Sequence, residues 1–91
     1  MTVQTVWKFS IDLGSDEPVL MPKGAQVLHV DNQDGALCVW ALVDPHAPKV
    51  ARGFVVVGTG HPVPAFRGRF LGTVLFAGGA LVFHVWEDLR P

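Results

Sequence analysis

An antiparallel β-sandwich or partly closed barrel of about six strands is the fold class that this sequence predicts, and three observations predict it. Ten glycines and seven prolines cut the 91 residues into short pieces. Each piece is rich in Val, Phe, Trp, Leu or Ile, the residues that suit a pleated, half-buried surface. None of them carries apolar residues at sustained helical spacing. The length reads as a single all-β domain over residues 1–91.

The first strand is expected at 5–11, a piece rich in Val, Trp, Phe and Ile. Asp12-Leu13-Gly14-Ser15-Asp16-Glu17-Pro18 follows as an acidic loop rich in turn formers. Val19 to Gly24 allows a short edge strand, limited by Pro22, which brings no N–H to a ladder. Strands are expected at 26–31 and 36–44, the latter closed by Asp44-Pro45-His46-Ala47-Pro48. A strand at 50–57 precedes a segment dominated by glycine and proline over 58–68, and the last two strands fall at 69–76 and 80–87.

Two turns set the expected register. Asp34-Gly35 and Gly78-Gly79 both suit two-residue hairpin loops, whose central residues need positive φ. The first loop places Val30 opposite Val39, Leu28 opposite Ala41 and Gln26 opposite Val43 on the core side. Its reverse side pairs His29 with Trp40, Val27 with Leu42 and Asp31 with Cys38. The second loop sends Phe76, Val74 and Gly72 to the core opposite Leu81, Phe83 and Val85. Its reverse side pairs Thr73 with His84, Leu71 with Trp86 and Arg69 with Asp88. Each hairpin therefore carries a histidine and a tryptophan away from the main core.

Composition constrains the partners. Hydrophobic residues make up 49% of the chain and charged ones only 16%, with a mean hydropathy of +0.36. A domain this small hides that much apolar surface poorly, so a homo-oligomer is expected, with Trp40 or Trp86 in its interface. A net charge of −1 offers no electrostatic basis for duplex nucleic acid or an anionic membrane. The first residues lack a signal-peptide layout, which reads as a cytoplasmic protein. Lone Cys38, in an apolar run, reads as a small buried hydrophobe. The spacings of His29, His46, His61 and His84 match no zinc motif, and no metal or other cofactor is expected.

Residues 58–69 form the best candidate ligand site. Glycines allow backbone N–H groups to approach an anion. Thr59 and Gly60 supply a hydroxyl and an open backbone, His61 a ring nitrogen, Phe66 a stacking face, and Arg67 and Arg69 positive charge. This set suits a phosphate-bearing small molecule. The alternative is a rigid Gly/Pro corner whose arginines are solvated or paired with Asp88. His29, Trp40, His84 and Trp86 form a second candidate surface, either a subunit interface or a site on the far face.

Several blocks occur together in order: Trp7-Lys8, Pro22-Lys23-Gly24-Ala25, Trp40-Ala41-Leu42-Val43-Asp44-Pro45, Gly58-Thr59-Gly60-His61-Pro62 and Val82-Phe83-His84-Val85. In these the chain resembles a widespread family of small uncharacterised proteins, about ninety residues long, encoded by phages and prophages. The resemblance implies action inside a bacterial host and carries over no catalytic residue. Taken with the 58–69 loop, it leads to the expectation of a non-catalytic binding protein, an anti-defence inhibitor or a sponge that sequesters a nucleotide-type signal. The alternative is a protein–protein inhibitor, aimed for instance at a host defence protein, or a minor phage structural module that binds through a Trp/His face. A nucleotide-processing enzyme ranks third, because no nucleophile signature such as G-x-S-x-G is present.

Overall fold

The computed structural model describes residues 3–90. Among these, the strands are β1 (Thr5–Ile11), β2 (Val19–Pro22), β3 (Gln26–Gln33), β4 (Ala36–Val43), β5 (Lys49–Gly58), β6 (Gly68–Phe76) and β7 (Leu81–Asp88). They build two antiparallel sheets, one ordered β1-β4-β3 and the other β2-β5-β7-β6. The architecture is a sandwich, and the sheets do not close into a barrel. The strand beyond the expected six is β2. It survives its proline because Pro22 is its last residue, at the edge of the sheet.

Period-two alternation supplies the core. Strand β4 buries Leu37, Val39, Ala41 and Val43 at its inner face, and Val74, Phe76 and Val85 meet them from the other sheet. Met21 is fully buried on β2, while Trp7, Phe9 and Ile11 alternate inward from β1. Cys38 is a buried free thiol between Ser10 and Asp31.

Both hairpin registers begin as the turns dictate and then shift. Asp34 and Gly35 take φ values of 52° and 86°, the mirror-image turn that matches strand twist. His29 lies across from Trp40 and Val30 from Val39. A bulge at Leu28 then pairs Val27 with Ala41 and Gln26 with Leu42. Val27 therefore packs inward and Leu28 is 49% exposed, the reverse of the expected assignment. An extra residue in one strand flips every side chain beyond it to the other face.

The second hairpin behaves alike. Its turn is centred on Gly78 and Gly79, with φ of 66° and 94°, and is closed by the Ala80 N–H donating to the Ala77 carbonyl at 3.2 Å. Ala77 also has positive φ, so the ladder ends at Phe76 opposite Leu81 and the connection occupies 77–80 rather than 78–79. Thr73 lies opposite His84 and Gly72 opposite Val85, as expected. A bulge at Leu71 then sets Phe70, not Leu71, against Trp86, and Arg69 against Glu87 rather than Asp88.

The two bulged strands, one from each sheet, pack against each other. Asn32 Nδ2 on β3 donates to the Leu75 carbonyl on β6 at 3.1 Å. A β-carbon at Gly72 would stand 2.9 Å from Val30 Cγ2, too close without movement in the core. Gly72→Ala is therefore expected to destabilise the fold by about 1–3 kcal/mol, as overpacking does. Urea unfolding measures this, and a loss under about 0.5 kcal/mol would mean that Val30 yields freely.

Candidate functional site

Topology decides what the 58–69 segment can assemble. Strands β5 and β6 both run antiparallel to β7, so they are parallel to each other, and residues 59–67 form the crossover between them. Gly58 pairs with Phe83, whereas Gly68 pairs with Asp88. Five residues of strand separate those points, roughly 17 Å at the usual rise. Thr59, Gly60 and His61 consequently start at one end of β7, while Arg67 and Arg69 lie at the other. The fold divides these candidates into two groups.

At the first end, His84 projects from the outer face of β7. Its Nε2 lies 2.8 Å from Thr59 Oγ1 and its Nδ1 lies 3.0 Å from Thr73 Oγ1. A neutral imidazole has one donor and one acceptor nitrogen, and hydroxyls serve either role, so both ring nitrogens are matched. The Thr59 N–H donates to the Val82 carbonyl at 3.1 Å and continues the ladder beyond β5. His61 folds back over Gly58, where a β-carbon would stand 3.5 Å from its Nδ1, and its N–H donates to the Gly58 carbonyl at 3.0 Å.

At the far end, the Arg67 carbonyl accepts the Leu89 N–H at 2.8 Å. The Arg67 and Arg69 residues are exposed and make no ion pair among the described residues. Asp88 is held instead by Arg90, whose Nη2 donates to Oδ2 at 2.8 Å. The Arg90 side-chain hydrogen bonds, followed by its backbone N–H, lower the Asp88 carboxyl from 3.8 to about 2. A depressed carboxyl adds stability above its ordinary value, and this is lost as pH falls through about 2. In Arg90→Gln, an NMR titration of the Asp88 carboxyl carbon should show its midpoint moving back toward ~4. An unmoved midpoint would remove Arg90 as the cause.

Aromatic rings gather on the same outer face. Trp86 contacts Phe66 with centroids 6.1 Å apart and Phe70 at 5.2 Å, both edge-on. Phe66 therefore packs on Trp86 beside Gly68. Phe70 is 54% exposed, and Leu75, on the same strand and the same face, is exposed as well. His29 and Trp40 form the corresponding pair on the small sheet, 5.9 Å apart, with Asp31 Oδ2 3.4 Å from His29 Nε2. The hairpins belong to different sheets, so the four His/Trp candidates occupy two opposite outer faces rather than one surface.

Sequence reasoning missed Phe70, whose placement depends on the bulge, and one buried ion pair. Glu87 is only 4% exposed, and Arg52 Nε donates to its Oε2. Arg52 Nη1 also donates to the Ala25 carbonyl at 2.9 Å. The signal for Glu87 was the alternation Phe83, Val85, Glu87, which sends all three inward. Among the described residues, no group of three or more His, Cys, Asp or Glu could hold a metal ion, and no helix is long and apolar enough to cross a membrane. No curated protein and no solved structure matches the chain. A family described as a domain of unknown function (DUF7352) matches residues 2–91, and on that extent of match the chain belongs to it.

Proposed function

We propose that the protein is a non-catalytic binding domain that captures a protein partner through the aromatic outer face of β6 and β7. The observation that carries this reading is Phe70, more than half exposed and seated on Trp86. Aromatic anchors of this kind are the usual centre of a protein interface. A bacterial host defence protein fits as the partner on the resemblance to phage- and prophage-encoded proteins, which would place the action in the host cytoplasm. Self-association through this face is proposed on the same apolar surplus. Light scattering at micromolar concentration should then give about 20 kDa for a dimer of the 9.8 kDa chain, and Phe70→Ser should return it to monomer. A monomeric wild type would reject self-association and leave the partner reading in place. Partner capture that Phe70→Ser does not weaken would reject the face itself.

A second reading, sequestration of a phosphate-bearing small molecule, is favoured by the exposed guanidinium groups of Arg67 and Arg69, which make no ion pair among the described residues. Charged hydrogen bonds are worth roughly 1.5–3 kcal/mol, so Arg67→Ala or Arg69→Ala should weaken nucleotide binding about tenfold to a hundredfold. Calorimetry against cyclic and linear nucleotides measures this directly, and flat titrations across the panel would end the sponge reading. Product analysis of the same mixtures tests turnover.

A further inference from the structure

We propose that the open edge of β5, from Gly53 to Gly58, is a docking site for an extended, cationic segment of a partner protein, which adds to the four-stranded sheet as a new strand. This inference is independent of the outer-face reading above. Strand β2 covers only the first part of that edge, pairing Pro22 to Val19 with Lys49 to Arg52. Beyond Val19 the chain leaves the sheet: Pro18 has a fixed φ and no N–H, and the Glu17 N–H is taken by Ser15 Oγ at 3.0 Å. The rest of β5 has β7 on one side and no strand on the other among the described residues.

The hydrogen-bond alternation identifies which groups are left over. The Thr59 N–H bonds the Val82 carbonyl, so Val57, Val55 and Gly53 bond toward β7 in the same phase. The Lys23 N–H bonds the Pro48 carbonyl, so Val50 and Arg52 bond toward β2. Both ladders give one result. The N–H and C=O groups of Phe54 and Val56, and the Gly58 N–H, turn toward the uncovered side. The Gly58 carbonyl already accepts from His61.

Natural sheets blunt such an edge with lysine, proline or a bulge. Gly53-Phe54-Val55-Val56-Val57-Gly58 has neither a charge nor a proline, and its pairing with β7 is unbroken. A cleft of about 660 Å³ runs along it, within the range of formed binding sites. Ile11, Asp12, Leu13 and Asp16 line the cleft, as do Pro62 and Pro64 of the crossover. Its charges select the occupant. Asp12, Asp16 and Asp88 line it against a single cation, Arg90, which is already bonded to Asp88. A segment carrying lysine or arginine on one face complements the two remaining carboxylates. A second copy paired edge to edge would instead bring two acidic loops together.

The test uses an N-acetylated, C-amidated heptapeptide of alternating valine and lysine, followed by amide NMR. In the peptide-free protein the Phe54 and Val56 amides should exchange rapidly, and the peptide should shift and protect both. The same peptide N-methylated at alternate residues on its protein-facing edge should lose binding. Replacing its lysines by glutamate should weaken binding at least about tenfold, as should Asp12→Asn combined with Asp16→Asn. Asparagine at 12 keeps the acceptor that Asp12 Oδ1 offers to the Gly14 N–H, so the loop should remain folded. The proposal is overturned by any of four results: no binding at millimolar peptide, equal binding of the glutamate peptide, shifts confined to Phe70 and Trp86, or Phe54 and Val56 amides already protected in the peptide-free protein.

Discussion

Arg52→Met should cost roughly 3–5 kcal/mol of folding stability, the usual penalty for stripping one partner from a buried ion pair. Glu87 is 4% exposed and faces the core, so the substitution leaves its carboxylate without a cation and with little water. The Ala25 carbonyl loses its Arg52 donor at the same time. The Arg52 side chain is itself 19% exposed, which lets some water in and points to the lower part of that range. Domains of this size are stable by only about 5–15 kcal/mol, so a large share of the total is lost. At about 4–8 °C per kcal/mol the melting temperature should fall by more than ~12 °C. Arg52→Met combined with Glu87→Leu should recover most of the loss, since apolar replacement of both partners removes the stranded charge. Urea unfolding of the single and double variants measures both effects. A single variant within 1 kcal/mol of wild type would mean that water solvates Glu87, contrary to its burial.

The second large effect is expected at β2. Met21 is fully buried, yet it belongs to a strand of four residues paired on one side only. Met21→Ala should destabilise by about 2–5 kcal/mol, because the cavity it leaves lies beneath a strand that gains little from its ladder alone. Leu20→Ala on the same strand, 59% exposed, should stay within about 0.5 kcal/mol. Hydrogen exchange separates global from local damage. In Met21→Ala the amides of Val19 and Met21 should open ahead of those in β4. Equal losses at Leu20 and Met21 would show that the strand is held by its backbone and not by its buried side chain.

The membership of strands and turns was readable because both depend on near neighbours. The strand-rich composition between glycine and proline breaks, the positive-φ demand of Asp34-Gly35 and Gly78-Gly79, and the His29–Trp40 and Thr73–His84 pairs all follow from local pattern. The two bulges were not readable. Leu28 and Leu71 each follow an equally apolar residue, Val27 and Phe70, so pattern alone could not say which of the two would be the extra one. That ambiguity hid Phe70 and placed Leu28 on the wrong face.

By itself the sequence determined an all-β antiparallel fold, the order of its strands along the chain and the register nearest each tight turn. These rest on backbone preferences and on period-two burial, which act over a few residues. Tertiary structure alone decided which strands share a sheet, and with that the fate of every candidate site. It put His29 and Trp40 on one sheet and His84 and Trp86 on the other. It separated Thr59 and His61 from Arg67 and Arg69 by the length of a crossover, brought Arg52 to Glu87 and, among the described residues, left half of β5 with no strand along one edge. Contacts between residues distant in the chain are chosen by how two sheets bury their apolar faces together, a choice that no local stretch of sequence encodes.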